Sequence, residues 1–254
     1  MKIYGIQFNP KWEEKDDNFR EVERILEAEK IAENSLIVLP EMFATGFSLN
    51  TEITSSDEPE KTTSFLRQLS TRYRSWTLAG IVERNNQRNY NRLICFSPDG
   101  QNIGNYDKIH LISQGGEDKV HTPGTQCRVF QVQEFTLCPI ICYDLRFPEL
   151  FREGVKKGAN LFVVIACWPA VRIEHWKSLL QARAIENQAY VAGINRTGNE
   201  PQNLYTGNSM IFGPKGENIS QLGKETDILK GFIEIEQVVK WRKDFPALEH
   251  RKIF

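Results

Sequence analysis

Two segments of this 254-residue sequence repeat each other, and the repeat constrains the fold more than any other feature. Phe96–Ile103 (FSPDGQNI) matches Phe212–Ile219 (FGPKGENI), and both carry the Pro-x-Gly pattern of a hairpin turn. A similar strand precedes each hairpin, reading Leu-Ala-Gly-Ile at 78–81 and Val-Ala-Gly-Ile at 191–194. The sequence therefore predicts two halves built on the same plan.

In both halves the hydrophobic period switches between that of a strand and that of a helix. Helices are expected over about 16–32, 58–73, 148–157 and 173–188. Strands are expected over 2–8, 36–39, 76–82, 91–96, 102–107, 128–132, 136–141, 161–166, 190–194, 209–212, 218–221 and 229–235. Two sheets covered by helices on one face each bury their apolar faces best by packing together. The predicted fold class is α/β, a four-layer α-β-β-α sandwich within a single domain spanning 1–254, and a single doubly wound sheet is the alternative.

Composition excludes several classes of protein. Thirty-two basic and 33 acidic side chains give a net charge of -1, and no basic run has interleaved aromatics, so nucleic acid is not an expected partner. No stretch of about 18 apolar residues is present, so neither a membrane span nor a signal peptide is expected. Five cysteines without a CxxC pair favour reduced thiols in a cytoplasmic protein and no metal site.

Cys142 stands where an apolar strand ends and the chain turns toward Phe147-Pro148-Glu149, which is typical of a helix opening. A helix start near a thiol stabilises the thiolate, the form that attacks carbonyl carbon. A cysteine in such a place is, by itself, more often a small buried apolar residue. Its partners therefore decide between the two interpretations.

Three charged residues also follow predicted strands or lie on a glycine-flanked loop. Glu41 comes after the apolar strand at 36–39 and is a candidate general base. Lys108 ends the strand at 102–107 and could neutralise an oxyanion, and Glu117 follows Gly115 and Gly116. Each of these alone is more often a surface charge. Together with a thiol they favour catalysis.

Four ordered segments resemble the nitrilase, or carbon-nitrogen hydrolase, superfamily. They are LPEMFATGF at 39–47, YDKIHL at 106–111, CYDLRFPEL at 142–150 and HWKSLLQARAIENQAYVAGINRTG at 175–198. The resemblance covers essentially the whole chain. It implies the α-β-β-α fold, a homodimer packed through its helical layers, and no metal or organic cofactor.

The resemblance also implies roles for individual residues. Glu41 is expected to be the base, Lys108 the oxyanion stabiliser together with the Tyr143 backbone N–H, and Cys142 the nucleophile. Glu117 matches the additional glutamate that these enzymes place beside the triad. The implied reaction is hydrolysis of a small amide to a carboxylate and ammonia.

Within the superfamily the segments CYDLRFPE, WPAVR at 168–172 and QARAIENQAYVAGINR resemble ω-amidases, which act on α-keto acid ω-amides such as α-ketoglutaramate and α-ketosuccinamate. Such a substrate needs a cation for its distal carboxylate, and Arg172 and Arg196 are the candidates. Arg146 is the poorer one, since it could brace the turn after Cys142. The expected aromatic walls are Phe43, Phe47, Trp168 and Tyr205.

Two alternatives remain open at this stage. One is a different member of the same chemistry: a nitrilase, an N-carbamoyl hydrolase or an aliphatic amidase. The other is a non-catalytic scaffold that binds a partner, although a scaffold does not require a glutamate, a lysine and a cysteine together.

Overall fold

The computed structural model describes residues 1–55 and 59–252. Within these residues the strands are β1 (Lys2–Gln7), β2 (Leu36–Val38), β3 (Trp76–Asn85), β4 (Arg88–Phe96), β5 (Asn102–Asp107), β6 (Phe130–Val132), β7 (Phe135–Ile141), β8 (Leu161–Ala166), β9 (Tyr190–Asn195), β10 (Thr197–Asn199), β11 (Leu204–Thr206), β12 (Met210–Phe212), β13 (Asn218–Gln221) and β14 (Asp227–Phe232). The helices are α1 (Lys15–Glu27), α2 (Thr51–Thr54), α3 (Pro59–Tyr73), α4 (Pro148–Lys156), α5 (Ile173–Asn187) and α6 (Ile235–Asp244).

Two six-stranded sheets carry the repeat that the sequence predicts. Their strand orders are β14-β1-β2-β3-β4-β5 and β6-β7-β8-β9-β12-β13. Read in these directions, the pairs of both sheets are antiparallel, parallel, parallel, antiparallel and antiparallel. The two hairpins even share a register shift, which falls at Phe96 in one and at Phe212 in the other. β10 and β11 form a separate small ladder.

Alternate side chains of β2 show how the layers stack. Leu36 and Val38 belong to a buried cluster that also contains residues of β7, β8 and β9 from the other sheet. Ile37 and Leu39 belong to a second cluster together with apolar residues of α1 and α3. Because successive side chains of a strand point to opposite faces, one sheet packs on the other sheet inside and on helices outside. The predicted four-layer α-β-β-α sandwich is confirmed.

The boundaries of several elements differ from the prediction. α1 ends at Glu27, because Ile31 packs against the outer cluster while the chain turns back to begin β2. The strand expected over 229–235 ends at Phe232, and α6 follows with a largely polar sequence that its pattern did not predict. The predicted start of α3 at Glu58 lies outside the described residues.

The carboxyl ends of three parallel strands position the site. β7 and β8 are neighbours in one sheet, and Cys167 after β8 bonds Glu41 after β2 of the other sheet. The carboxyl ends of parallel strands are where open α/β layers collect functional groups. No helix within 1–55 and 59–252 is long and apolar enough to span a bilayer.

Candidate active site

The four residues that the sequence predicts as catalytic lie together. Glu41 follows β2, Lys108 and Cys142 directly follow β5 and β7, and Glu117 opens the 3-10 turn Glu117–Lys119. Lys108 Nζ lies 3.0 Å from Glu41 Oε1 and 2.9 Å from both carboxylate oxygens of Glu117. The side chains of all three charged residues are fully buried. One ammonium compensates only one carboxylate, so the ionised cluster has a net negative charge.

Cys142 lies on a strained turn. Its φ of 46° is in the left-handed region, which costs a non-glycine residue about 1–3 kcal/mol. It is the first residue of the 3-10 turn Cys142–Arg146, and its side chain lines a cavity. The turn therefore presents the thiol to the cavity, whereas the strand before it is buried in the core.

Asp144 links the turn Cys142–Arg146 by hydrogen bonds to the residues on either side of Lys108. Its carboxylate accepts a hydrogen bond from the Tyr106 hydroxyl at 2.7 Å and another from the His110 backbone N–H at 2.9 Å. Tyr106 and His110 stand two residues before and after Lys108, so one buried carboxylate fixes the thiol turn relative to the ammonium. Sequence reasoning missed this role of Asp144, although the residue lies inside the recognised segment at 142–150.

Three further neighbours place the Glu41 carboxylate, and sequence reasoning missed all of them. Asn91 Nδ2 donates to Oε1 at 2.7 Å, and the Cys167 backbone N–H donates to Oε2 at 2.8 Å. Gly80 lets the backbone approach, since a Cβ there would lie 2.6 Å from the Glu41 Cα. The signal available in the sequence was a glycine inside a strand pattern, which is typical of a close backbone approach.

Burial and neighbouring charges set the protonation of the cluster. Burial raises the pKa of the Cys142 thiol well above its ordinary value, and Glu41 adds to the rise while Lys108 opposes it. Burial also opposes the charge of Lys108, but Glu41 and Glu117 outweigh it and raise the ammonium pKa well above its usual range. Burial works against ionised Glu117 too, yet Lys108, the His121 side chain and the Asn91 amide lower its pKa to about 2. The resting thiol is therefore neutral.

This finding corrects one expectation from the sequence. A helix start was expected to stabilise the thiolate of Cys142. The 3-10 turn Cys142–Arg146 intervenes instead, and α4 begins only at Pro148. The start of α4 is therefore not adjacent to the thiol.

A cavity of about 240 Å³ opens beside Cys142. Among the described residues, its lining contains the cations Lys108, Arg146 and Arg172 and no aspartate or glutamate. Lys108 is paired with the two buried glutamates, whereas within residues 1–55 and 59–252 neither arginine has a carboxylate partner. One nitrogen of Arg146 lies 3.3 Å from His175 Nδ1, a neighbour that does not neutralise its charge unless a carboxylate joins it. The cavity thus offers two guanidinium groups whose charge can bind an anion.

Most of the residues predicted to bind the substrate line this cavity, and two do not. Tyr143, Trp168 and Arg172 line it, as do Phe47 and Tyr205. Arg146, the poorer candidate, also lines it, with its guanidinium 4.8 Å from the centroid of the Trp168 ring.

Phe43 and Arg196 do not line the cavity, which corrects both predictions. Phe43 packs between sheet and helices, 5.9 Å from the ring of Phe19. Arg196 is fully buried and forms an ion pair with Glu200, whose other oxygen accepts from the Tyr205 hydroxyl at 2.8 Å. The charge of Arg196 is used inside the fold, where it holds the wall residue Tyr205.

Clusters of three or more histidine, cysteine, aspartate or glutamate side chains that could hold a metal ion are absent from the described part of the chain. The chemistry available at the cavity comes from a thiol, a base, an ammonium and backbone donors. These are the components of nucleophilic acyl transfer.

Comparison with known proteins agrees with this arrangement. The family model for carbon-nitrogen hydrolases matches residues 5–243. The chain belongs to the carbon-nitrogen hydrolase family. This hydrolase is 36% identical over 249 residues to an omega-amidase YafV of Yersinia enterocolitica, covering 97% of this chain and 95% of the relative. It is 33% identical over 249 residues to a 2-oxoglutaramate amidase of Bacillus subtilis, covering 97% and 96%.

A solved structure shares the fold of this carbon-nitrogen hydrolase closely. It is a CN-hydrolase superfamily protein of Xanthomonas campestris, whose crystal structure has an arsenic adduct in the active site. The TM-score is 0.92 at 30% sequence identity, and the match covers 100% of this chain and 98% of the other.

Proposed function

We propose that this carbon-nitrogen hydrolase removes ammonia from a small amide that carries a carboxylate at its far end, namely an α-keto acid ω-amide such as α-ketoglutaramate or α-ketosuccinamate. The observation that carries the proposal is the cavity beside Cys142. In the part of the chain that the structure describes, its lining has two guanidinium groups without a carboxylate partner and no acidic side chain. Burying an unpaired carboxylate is costly, so a cavity of this charge favours an anionic substrate. The names of two relatives, omega-amidase and 2-oxoglutaramate amidase, support the same substrate class.

The proposed first half-reaction forms a thioester. Glu41 takes the proton of the Cys142 thiol as Sγ attacks the amide carbon, and Lys108 with the Tyr143 backbone N–H stabilises the oxyanion. The proton on Glu41 then passes to the amide nitrogen, the C–N bond breaks and ammonia leaves.

The second half-reaction restores the enzyme. Ionised Glu41 takes a proton from water as the water oxygen attacks the thioester carbon. The C–S bond breaks, Cys142 recovers its proton and the carboxylate product leaves. Glu117 contacts Lys108 through both of its oxygens, so its proposed role is to hold the ammonium in place.

Arg172 and Arg146 are the proposed ligands of the distal carboxylate. Arg172 lies on the short turn Ala170–Arg172, whose carbonyl end accepts a hydrogen bond from the indole N–H of Trp168 at 2.8 Å. Arg146 stacks on the same indole. One aromatic side chain therefore contacts the backbone of Arg172 and the guanidinium of Arg146 on one wall of the cavity.

Steady-state kinetics of ammonia release tests the substrate class. The panel comprises α-ketoglutaramate, glutamine, butyramide, a nitrile and an N-carbamoyl amino acid. We expect Arg172→Met and Arg146→Met to raise KM for α-ketoglutaramate about 10- to 100-fold, the value of a charge-assisted hydrogen bond, and to leave KM for butyramide nearly unchanged. Arg128→Met is the matched control, because Arg128 is exposed and outside the cavity.

Two results would contradict the proposal. Turnover of only nitriles or N-carbamoyl compounds would identify another member of the family chemistry. An N-carbamoyl amino acid also carries a carboxylate, so it is the strongest competitor. Failure to turn over any compound, with an unreactive Cys142, would favour a binding scaffold.

We also propose that the chain is one domain and works in the cytoplasm. The family match over 5–243 supports one domain, and five free cysteines support a reducing compartment.

We further propose that the chain forms a homodimer through its helical layer. This layer exposes the apolar side chains of Ile185 in α5, Val239 in α6 and Phe245, which are 51%, 61% and 56% exposed, and a dimer contact would cover them. Sedimentation should show a dimer that Val239→Asp dissociates and the control Leu204→Asp does not.

A further inference from the structure

The buried cluster of Glu41, Lys108 and Glu117 contains two carboxylates but one cation. A single cation leaves one carboxylate to be stabilised by hydrogen bonds from neutral donors. Asn91 of β4, which is 1% exposed, supplies one to each carboxylate, since its Nδ2 lies 2.7 Å from Glu41 Oε1 and 2.8 Å from Glu117 Oε1. Both N–H bonds of one amide are therefore used, one on each carboxylate. The backbone N–H groups of Cys167 and Ile112 donate to the other oxygens, at 2.8 Å on Glu41 and 2.9 Å on Glu117.

Asn91 also fixes the backbone of Lys108. Its backbone carbonyl accepts the Lys108 backbone N–H at 2.9 Å. Within residues 1–55 and 59–252, Asn91 and Lys108 are the two residues whose side chains donate to both carboxylates. The same strand position thus fixes all three charged members of the cluster.

The uncharged amide has a chemical advantage at this position. A second cation would make the cluster neutral and weaken Glu41 as a proton acceptor, whereas a carboxyl group would share a proton with its neighbours. An amide stabilises two ionised carboxylates and leaves the cluster negative. A negative cluster suits a base that must take a proton from a buried neutral thiol.

We propose that Asn91 is a positioning residue that holds the Glu41 and Glu117 carboxylates side by side, so that Glu41 can accept the proton of Cys142. This proposal rests on the proposed function, in which Glu41 is the base. Asn91 acts through Glu41 and touches neither substrate nor the thiol in this scheme.

Several titratable groups face the cluster from the elements packed around it. They are Lys108 after β5, Glu117 and His121 from the loop that follows, Cys142 after β7, Cys167 after β8, and Tyr205 and Arg196 behind the cavity. Among these, a change at Asn91 acts first on the two glutamates, because they are its direct partners.

The test is the pH dependence of Asn91→Asp, Asn91→Ala and the control Asn89→Asp. Asn89 lies two positions away on the same strand, where its side chain bonds Ser55 and Arg84 instead of the cluster. In Asn91→Asp the cluster takes up an additional proton, so the acidic limb of kcat/KM should move upward by at least about one pH unit. Asn91→Ala removes the two donors and should move the limb in the same direction. Asn89→Asp should leave it unchanged.

A second readout separates this proposal from the proposed function. The rate of Cys142 alkylation by iodoacetamide, followed by peptide mass spectrometry across pH, depends on the base and not on the substrate. A shift of this profile to higher pH in both Asn91 variants supports the positioning role even where the wild-type protein hydrolyses none of the amides. In that case the proposed function fails and the role of Asn91 stands.

A merely structural role gives a different pattern. It would lower kcat by the same factor at every pH, with the limb and the alkylation profile at their wild-type positions, and this result would overturn the proposal. Circular dichroism and thermal melting identify a variant that does not fold. Should Asn91→Asp fail to fold, the profile of Asn91→Ala decides.

Discussion

The Ala79-Gly80 pair of β3 and the Ala192-Gly193 pair of β9 occupy corresponding strands of the two sheets, but their glycines admit different neighbours. A Cβ at Gly80 would lie 2.6 Å from the Cα of Glu41. A Cβ at Gly193 would lie 2.4 Å from Leu180 Cδ1 of α5. One glycine makes room for a backbone in the active site, and the other makes room for helix packing.

The difference extends through the whole repeat. The first half contributes both carboxylates and the ammonium of the buried cluster, and the second half contributes Cys142 and most of the cavity wall. Two similar sheets therefore supply different groups of the candidate site. Variants at matched positions of the two halves should separate catalysis from stability.

Replacing the nucleophile should have the largest effect. Cys142→Ala removes the attacking atom, so we expect kcat/KM for α-ketoglutaramate to fall by about 10⁴-fold or more, with the thermal melting temperature close to that of the wild type. Cys167→Ala is the matched control at the end of the next strand, because its backbone N–H still donates to Glu41. It should keep activity within about tenfold. Substantial turnover by Cys142→Ala, or an equal loss in both variants, would refute the assigned nucleophile.

Replacing Gly80 and Gly193 by alanine should show most directly that the two glycines have different roles. Gly80→Ala displaces the backbone of Glu41, and a shift of about 1 Å at a catalytic group costs about 100-fold in kcat. Gly193→Ala meets side chains that can move, so it should cost about 1–3 kcal/mol of stability with little change in kcat. Steady-state kinetics and urea unfolding of both variants check this. Equal kinetic losses would show that the glycines have the same role.

The sequence was sufficient to predict what depends on local pattern. Strand ends, the repeat and the recognised segments placed Glu41, Lys108, Glu117 and Cys142 at one site, and the sandwich followed from two sheets with one apolar face each. All of these depend on periodicity or on short motifs. They needed no knowledge of which side chains meet across the fold.

Tertiary contacts decided the features that the sequence did not predict. Arg196 and Arg172 are both arginines near strand ends, but only the structure shows that Glu200 lies against Arg196. The raised pKa of Cys142 likewise comes from burial and from Glu41, which is far away in the sequence. A single sequence does not specify such pairings.

The buried charges of the first half should also make stability depend on pH. The folded pKa of Glu117 is about 2, below the ordinary 4.5, so its ionisation stabilises the fold above about pH 4.5 and this contribution is lost as the pH falls toward 2. The shift corresponds to about 3 kcal/mol. Urea unfolding of the wild type between pH 5 and pH 2.5 should show most of this loss, whereas Glu117→Gln should show a flatter dependence. Parallel curves for the two proteins would contradict the assignment.

The two hairpins should show the smallest effects and the closest similarity. Gly100 and Gly216 have φ values of 79° and 85°, which an alanine adopts at a cost of about 1–2 kcal/mol. Gly100 lies in the turn between β4 and β5, at the opposite end of β5 from Lys108, and Gly216 lies in the matching turn between β12 and β13. Gly100→Ala and Gly216→Ala should therefore lower the free energy of unfolding by similar amounts and leave kcat unchanged. Urea unfolding and kinetics of the two variants measure this. Equal losses of stability with unchanged kcat would show that the groups needed for catalysis lie at the strand ends of the first half and not at its hairpin turn. A fall in kcat in Gly100→Ala alone would contradict this.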